Sequence, residues 1–419
     1  MMKRIILALF VQLTAIAATA QSHAVNNAQA AKFVKYYNAY RPDSIYTLLS
    51  PAGKAKVPML GVASAVSQLK GALGKLVSEE YYEPTENGGD SYVAVFEKSG
   101  PVLYLSFNKE NKLTGFFTNV DKRETPGSVT VKTPDAELKG TLTVPDGAAK
   151  MPVVLIIAGS GPTDRNGNTM SLDMKPNTYL MMAEAFKKAG IATLRYDKRM
   201  ISQSTSTKSQ SQTTFEDMVN DAVACIKFLK ADTRFSKVII AGHSEGSLIG
   251  MLACQREKVN GFISLAGAGF PVDEVLKKQL KANAPPAAYS KAILIIDSIK
   301  AGQKIRQKLD PGFENLFDAS LQNYMHSLFQ YDPQKEIGKV NVPTLIVQGS
   351  TDIQVGVPDA YSLNSGKKDA EVQVIKGMSH IMKVGPEDRK QNAETYLKSD
   401  LPLHPELMPT LINFIKTIK

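Results

Sequence analysis

Val238-Ile-Ile-Ala-Gly242-His243-Ser244-Glu245-Gly246-Ser-Leu-Ile-Gly250 joins two unlike patterns across one serine flanked by glycines. Val238 to Ala241 is a short apolar run without alternation, which reads as a strand buried on both faces, whereas Ser244 to Cys254 has helical spacing. A chain that turns from strand to helix within a few residues must bend sharply. The positions two before and two after the apex lie close together, so both are glycine. The apex side chain is pushed out of the backbone. A serine hydroxyl is a weak nucleophile until a base takes its proton, and this bend presents it where a base can reach it. Gly-x-Ser-x-Gly alone is a weak signal, because both residue types are common. The strand before it and the helix after it make it a strong one.

Working outward, strands and helices alternate on both sides of the bend. Val153 to Ala158, Ala192 to Tyr196 and Gly261 to Ala266 read as strands, and Tyr179 to Ala189 and Phe215 to Lys230 as helices. Val129 to Val131 and Leu138 to Val144 supply two leading strands. Short apolar strands interleaved with helices predict an α/β class with a mostly parallel sheet covered on both faces. The alternation breaks over about 271–339, which is helical throughout. It resumes with Thr344 to Gln348, a helix near Pro358 to Leu363, Glu371 to Ile375 and a last helix from about Pro405. An insertion of that size between core strands predicts a helical cap within a domain spanning 127–419. Its Leu276, Leu280, Ile293, Leu294, Ile295, Leu316, Phe317, Tyr324, Leu328 and Phe329 are expected to supply apolar walls to the site, or in large part to pack against the core.

Residues 24–122 read differently, as helices followed by strands. Phe33, Val34, Tyr37 and Tyr40 recur at helical spacing, as do Val62, Val66, Leu69, Leu73 and Leu76. Tyr92 to Phe96, Val102 to Phe107 and Leu113 to Phe117, joined by turn-rich segments, predict an antiparallel meander in a small α+β domain. Ahead of it, Lys3 and Arg4, the apolar Ile5 to Ala18 and the small-x-small site Ala18-Thr19-Ala20 predict a cleavable signal peptide over 1–20, and so a periplasmic or secreted protein. No later stretch is long and apolar enough to span a membrane. The net charge of +10 falls by two when Lys3 and Arg4 leave, and the other basic residues are scattered, so nucleic acid is not an expected partner. Cys225 and Cys254 sit in apolar helical patterns without metal-ligand spacing and are read as free thiols.

The chemistry needs three more parts. Acyl transfer requires backbone N–H donors for the developing oxyanion, and Gly159-Ser160-Gly161-Pro162-Thr163-Asp164-Arg165-Asn166-Gly167-Asn168 follows a strand directly. The expected donors are the N–H of Glu245 and that of Gly161, with Ser160 the second choice for the latter. A phosphate loop would need Gly-Lys-Ser/Thr. A dinucleotide fingerprint would need glycine where Asp164 stands, and a calcium loop is broken by Thr169 and Lys175. The acid and base should follow the nucleophile in loops after late strands. Asp352 lies just past Thr344 to Gln348, and His380 just past Val372 to Ile375. Asp359 is the fallback acid. Among the five histidines, His23, His243, His326 and His404 are badly placed for the role, His243 because the elbow itself confines it.

From about Val129 onward the chain resembles the α/β-hydrolase superfamily. Gly-Ser-Gly-Pro-Thr-Asp-Arg-Asn-Gly-Asn, Arg195-Tyr-Asp-Lys-Arg199 and Gly-His-Ser-Glu-Gly are similar to a bacterial group of carboxylesterases related to serine aminopeptidases. The first domain resembles one of unknown function that often precedes such hydrolases in exported bacterial proteins. The resemblance implies a triad of Ser244, His380 and Asp352, no cofactor, and a small-molecule acyl ester as substrate. A peptidase or thioesterase would use the same residues, and a binding protein that kept the fold is the non-enzymatic alternative. One departure stands out: where the group often has Gly-x-Gly-x-Ser, this chain has Met200-Ile-Ser202-Gln-Ser204. Asp197, Lys198 and Arg199 are expected to form a structural ion-pair turn.

Overall fold

In the computed structural model, the helical spacing of the early aromatics and the alternation of the strands after them build one small unit. It contains α1 (26–38), α2 (Pro42–Leu48), α3 (Pro51–Lys56) and α4 (Met59–Leu73), then β1 (Leu76–Pro84), β2 (Asp90–Phe96), β3 (Val102–Phe107) and β4 (Leu113–Asn119). The strands pair antiparallel in the order β1-β2-β3-β4, and Phe33, Tyr37, Ile45, Val62 and Val66 pack on Tyr92, Ala94, Phe96, Leu103 and Leu105. Leu76, read above as the end of a helix, instead opens a fourth strand. Gly74, at φ +80°, stops α4, and β1 escapes notice because it is an edge strand whose residues are mostly exposed or half-buried. The structure describes residues 26–419 except 86, 87, 98–100, 120, 122, 124, 125, 148, 149, 173, 284 and 306–316. The expected signal peptide, His23 and Leu316 lie outside the described residues. These divide after Arg123 into two compact units.

The second unit runs β5 (Ser128–Lys132), β6 (Ala136–Thr143), β7 (Met151–Ile157), α5 (Thr178–Lys188), β8 (Ala192–Tyr196), β9 (Thr205–Ser206), α6 (Phe215–Ala231), β10 (Phe235–His243), α7 (Glu245–Arg256) and β11 (Gly261–Leu265). Four helices follow: α8 (Val272–Asn283), α9 (Pro286–Lys300), α10 (Gln322–Leu328) and α11 (Pro333–Ile337). The unit closes with β12 (Thr344–Gly349), α12 (Val357–Gly366), β13 (Glu371–Ile375), α13 (Arg389–Glu394) and α14 (Leu407–Thr417). The sheet order is β5-β6-β8-β7-β10-β11-β12-β13, with β9 added on β6. Strands from β8 to β13 are parallel, and β6 is antiparallel to its neighbours. This is the α/β-hydrolase sheet that the resemblance implies. Because β7 and β8 are exchanged, the loops leaving β7 and β11 flank the end of β10, and a crevice at such a reversal is where ligands enter open α/β sheets.

Strand alternation sorts the core into two faces. Val153, Leu155, Ile157, Val238 and Ile240 face α6 and α7, while Val154, Ile156, Ile239, Ala241, Ile263 and Leu265 face α5 and α14. Most of the expected cap walls serve the first of these faces. Ile295, Phe317, Leu328 and Phe329 are buried in it, Leu276, Leu280 and Tyr324 pack against it, Ile293 is half-buried, and Leu294 is 69% exposed. Cys225 is buried and Cys254 half-buried, and both are free thiols. Among the described residues no helix is long and apolar enough to cross a membrane.

The loop after β8 is held by charge. Asp197 accepts from Arg165 Nη2 at 2.6 Å and Nε at 3.1 Å, and Arg199, 2% exposed, reaches Asp221 at 2.7 and 2.9 Å and Asp135 at 3.3 Å. Lys198 departs from the expected ion-pair turn, since its ammonium donates to the carbonyl of Gly159 at 2.6 Å. Met200 and Ser202 hold φ of +63° and +53°, so the loop keeps a left-handed backbone at the two positions where the resembled group often carries glycine. Ser204 Oγ donates to Asp197 O at 2.8 Å and accepts from Lys139 N at 2.9 Å, which pins the loop's end.

A left-handed non-glycine residue costs about 1–2 kcal/mol, against up to about 1 kcal/mol of extra unfolded-chain freedom for glycine. Ser202→Gly, at an exposed position, is therefore expected to raise the urea midpoint of the second unit slightly. A lowered midpoint would show that the serine is not strained.

Candidate active site

Ser244 follows β10 and precedes α7 with φ 55° and ψ −122°, a conformation costing about 1–3 kcal/mol that survives only where its surroundings enforce it. Here they do. Its N–H donates to Leu265 O at 2.9 Å. A Cβ on Gly242 would lie 2.2 Å from Gly246 O, and one on Gly246 would lie 2.4 Å from Ile157 O. Gly159 lies on the third side, where a Cβ would come within 3.2 Å of Ser244 Cβ. The glycine-rich loop after β7 thus touches the elbow.

His380 Nδ1 lies 2.7 Å from Asp352 Oδ2, and both side chains are buried. Since a carboxylate only accepts, Nδ1 donates to it, and in a neutral imidazole of this tautomer Nε2 carries the lone pair. Asp352 also accepts from Gln354 N at 2.8 Å, Val355 N at 2.9 Å and Gln348 Nε2 at 3.1 Å. Burial opposes its ionisation, but the bonds from His380 and the backbone outweigh it and hold the carboxyl below its usual range. Asp359 is occupied elsewhere, accepting from Gly269 N and Gly356 N at the start of α12. His326 binds Ile299 O, and His404 takes Glu406 N.

His243, set aside on sequence grounds, proves to tie the site together. Its Nε2 sits 2.8 Å from the carbonyl of His380, and its ring centroid lies 4.8 Å from that of His380. A carbonyl cannot donate, so Nε2 bears the hydrogen and Nδ1 accepts. Tyr179 OH, 2.7 Å from Nδ1, must therefore donate to it, which leaves its oxygen to accept Gly159 N–H at 3.2 Å. One proton arrangement satisfies the whole chain from the His380 backbone to the glycine-rich loop. Burial, reinforced by the neighbouring His380, pushes His243 down to about 3, so it stays neutral. The signal in the sequence was a polar residue wedged between an apolar strand and an elbow, a place that tolerates one only with every hydrogen bond made.

On the other side lies a cavity of about 420 Å³. Gly161, Pro162, Lys198, Met200, Ile201, Met218, Glu245, Leu321 and Tyr324 line it, together with Arg199, Gln210 and Thr213. Both expected oxyanion donors, Gly161 and Glu245, are in its wall. Among the described residues neither of their N–H groups has an acceptor. Of the expected cap walls only Tyr324 contributes among the described residues, with its hydroxyl donating to Glu245 Oε1 at 2.7 Å. The quoted loop motif and the Arg-Tyr-Asp segment prove to be one network, because Arg165 binds Asp197 and Arg195 binds the Asn166 side chain. Asp164 Oδ1, in the fragment that began like a calcium loop, accepts from Asn166 N and Asn168 N, and no group of metal-ligating side chains occurs among the described residues.

The model of the serine aminopeptidase S33 family matches residues 175–384, half of the chain, and the chain belongs to that family. The matched span includes Ser244, Asp352 and His380. Esterase EstD of Thermotoga maritima is 25% identical over 382 residues, covering 87% of this chain and 90% of that protein. A match of that extent reaches into the first unit. Est1E of Butyrivibrio proteoclasticus, solved with ferulic acid, is 19% identical with a TM-score of 0.45, covering 69% of this chain and 99% of its own. The α/β hydrolase GrgF of a Penicillium species is 16% identical with a TM-score of 0.46, covering 70% and 98%.

The neutral His243 carries a pH signature. The unfolded chain takes up a proton near pH 6.5 that the folded site refuses until about pH 3. Stability from this residue is therefore complete above about pH 6.5 and is lost as pH falls toward 3. Urea midpoints of His243→Gln are expected to decline less steeply than wild type between pH 7 and 4.5. Parallel declines would place the acid sensitivity elsewhere.

Proposed function

We propose that this S33-family chain is an exported serine hydrolase that cleaves carboxylic esters through an acyl-enzyme on Ser244. The observation that carries the reading is the His380 imidazole. Its proton is committed to Asp352, so its other nitrogen is free to take one, and its backbone is tied to the residue beside Ser244. Ser244 attacks the acyl carbonyl while His380 Nε2 accepts its proton, and Asp352 stabilises the imidazolium. The N–H groups of Gly161 and Glu245 take the oxyanion, helped by the N-terminal dipole of α7. His380 then protonates the leaving alcohol, and water releases the acid by the same route.

The cavity favours an uncharged acyl group of short to medium length. Its lining is mainly Pro162, Met200, Ile201, Met218, Leu321 and Tyr324, and its one free carboxylate and one ammonium, Glu245 and Lys198, offset each other. The relationship to EstD supports an ester in place of an amide, while the family's description as serine aminopeptidases supports the rival. Export is proposed from Lys3, Arg4, the apolar run and Ala18-Thr19-Ala20.

Purified protein is expected to turn over p-nitrophenyl esters faster than aminoacyl-anilides and to be labelled at Ser244 by a fluorophosphonate. Ser244→Ala should lose at least about 10³-fold in kcat while remaining folded. Greater anilide turnover would favour the peptidase, and folded protein that resists the probe would favour a binding role. Met200 stands in the cavity wall, so Met200→Gly is expected to shift the best ester toward longer acyl chains, read as kcat/KM across a chain-length series. An unchanged optimum would place the acyl group elsewhere.

A further inference from the structure

Lys198 remains unused by this mechanism. Its side chain is only 7% exposed, and it forms no ion pair among the described residues, while Asp197 and Arg199 on either side are each paired. A buried ammonium without a partner carboxylate is costly, and desolvation lowers its affinity for the proton, with Glu245 acting against this. Its one hydrogen bond goes to the carbonyl of Gly159, 2.6 Å away. An ammonium has three donors, and Lys198 is part of the same cavity wall as Gly161 and Glu245.

The bond falls on a significant peptide. In a trans peptide the carbonyl and the following N–H point in opposite directions, so holding Gly159 C=O fixes where Ser160 N–H is aimed. The next peptide is held in the same way, since Ser160 C=O accepts from Thr163 Oγ1 at 3.0 Å, and this fixes Gly161 N–H. Tyr179 holds the Gly159 N–H from the other side. The loop is thus clamped through its carbonyls and its first N–H, which leaves the Gly161 N–H without an acceptor.

We propose that Lys198 is a positioning residue for acyl transfer, clamping the Gly159–Ser160 peptide so that the loop's donors face the oxyanion and placing its positive charge on that wall of the cavity. The inference rests on the hydrolase reading above. It also explains why a lysine stands among arginines that make ion pairs: a guanidinium fork suits a carboxylate, whereas a single carbonyl beside a substrate cavity suits a compact point charge.

The test compares Lys198→Met, Lys198→Gln and Lys198→Arg in ester turnover, in the rate of Ser244 labelling by a fluorophosphonate and in binding of a trifluoromethyl ketone. Lys198→Met is expected to lose on the order of 10²-fold in kcat with KM within about threefold, comparable to losing one oxyanion donor. Labelling rate and ketone affinity should fall in parallel. Lys198→Gln keeps a donor without the charge and should lie between Met and wild type. Lys198→Arg keeps the charge and should exceed Gln, and these two decide the matter if the Met variant does not fold. Variants within about threefold of wild type in kcat, a loss confined to KM, or a lower melting temperature without the ketone effect would each overturn the inference. Wild type that neither labels nor turns over esters would instead sink the hydrolase reading, and this inference with it.

Discussion

The close approach of the first turn of α7 to the end of β7 governs the second unit. Gly246 is so near the carbonyls of Ile157 and Ala158 that a single methyl group would have to displace backbone. That contact requires β7 and β10 to be neighbours, which exchanging β7 with β8 in the sheet achieves. The same contact forces Ser244 into its positive φ and brings the loop after β7 against it. Sheet order, elbow strain and the position of the candidate oxyanion donors are consequences of one packing constraint.

The polar groups that are buried at this junction must find a protein partner or bear the cost of burial. The two sides of the elbow meet that demand differently. On the base side a neutral relay, His243 and Tyr179, links the His380 backbone to Gly159 with every hydrogen assigned. On the cavity side the charges are segregated. Arg165 is paired with Asp197 and Arg199 with Asp135 and Asp221, whereas Lys198 forms no ion pair among the described residues and donates to a single carbonyl. A neutral His243 fits the role proposed for His380, because a cation beside that ring would oppose the positive charge a base takes up.

The parts of this arrangement that follow from local pattern were readable in the sequence. Unalternating apolar runs announced the buried parallel strands, and paired glycines announced the elbow. The spacing of Asp352 and His380 behind late strands matched a hydrogen bond that the fold forms over 28 residues. The edge strand β1 was missed because its residues face water on much of both faces, so neither alternation nor an apolar run marks it. An apolar stripe looks the same whether it lines a cavity or packs on a core, and of the described residues named for the cap only Tyr324 reaches the cavity, while most of the others pack on the core. His243, Tyr179 and Lys198 are long-range partners, 20 to 137 residues from the groups they bind. A window along the chain marks His243 as a buried polar residue but names none of these partners.

The loop from Met200 to Ser204 holds a left-handed backbone without glycine, for Met200 and Ser202 have φ of +63° and +53° and Ser204 makes two hydrogen bonds that pin the loop. The surroundings are strong enough to impose this. Asp197 is anchored by Arg165 before the turn, and Arg199 is clamped by Asp221 and Asp135 immediately ahead of Met200. The backbone is therefore fixed at both ends by interactions that do not depend on residue 200. A side chain there adds volume to the cavity wall at the cost of local strain. A position whose backbone is held by its neighbours can carry a side chain at a left-handed angle, and Met200 does so in the cavity wall.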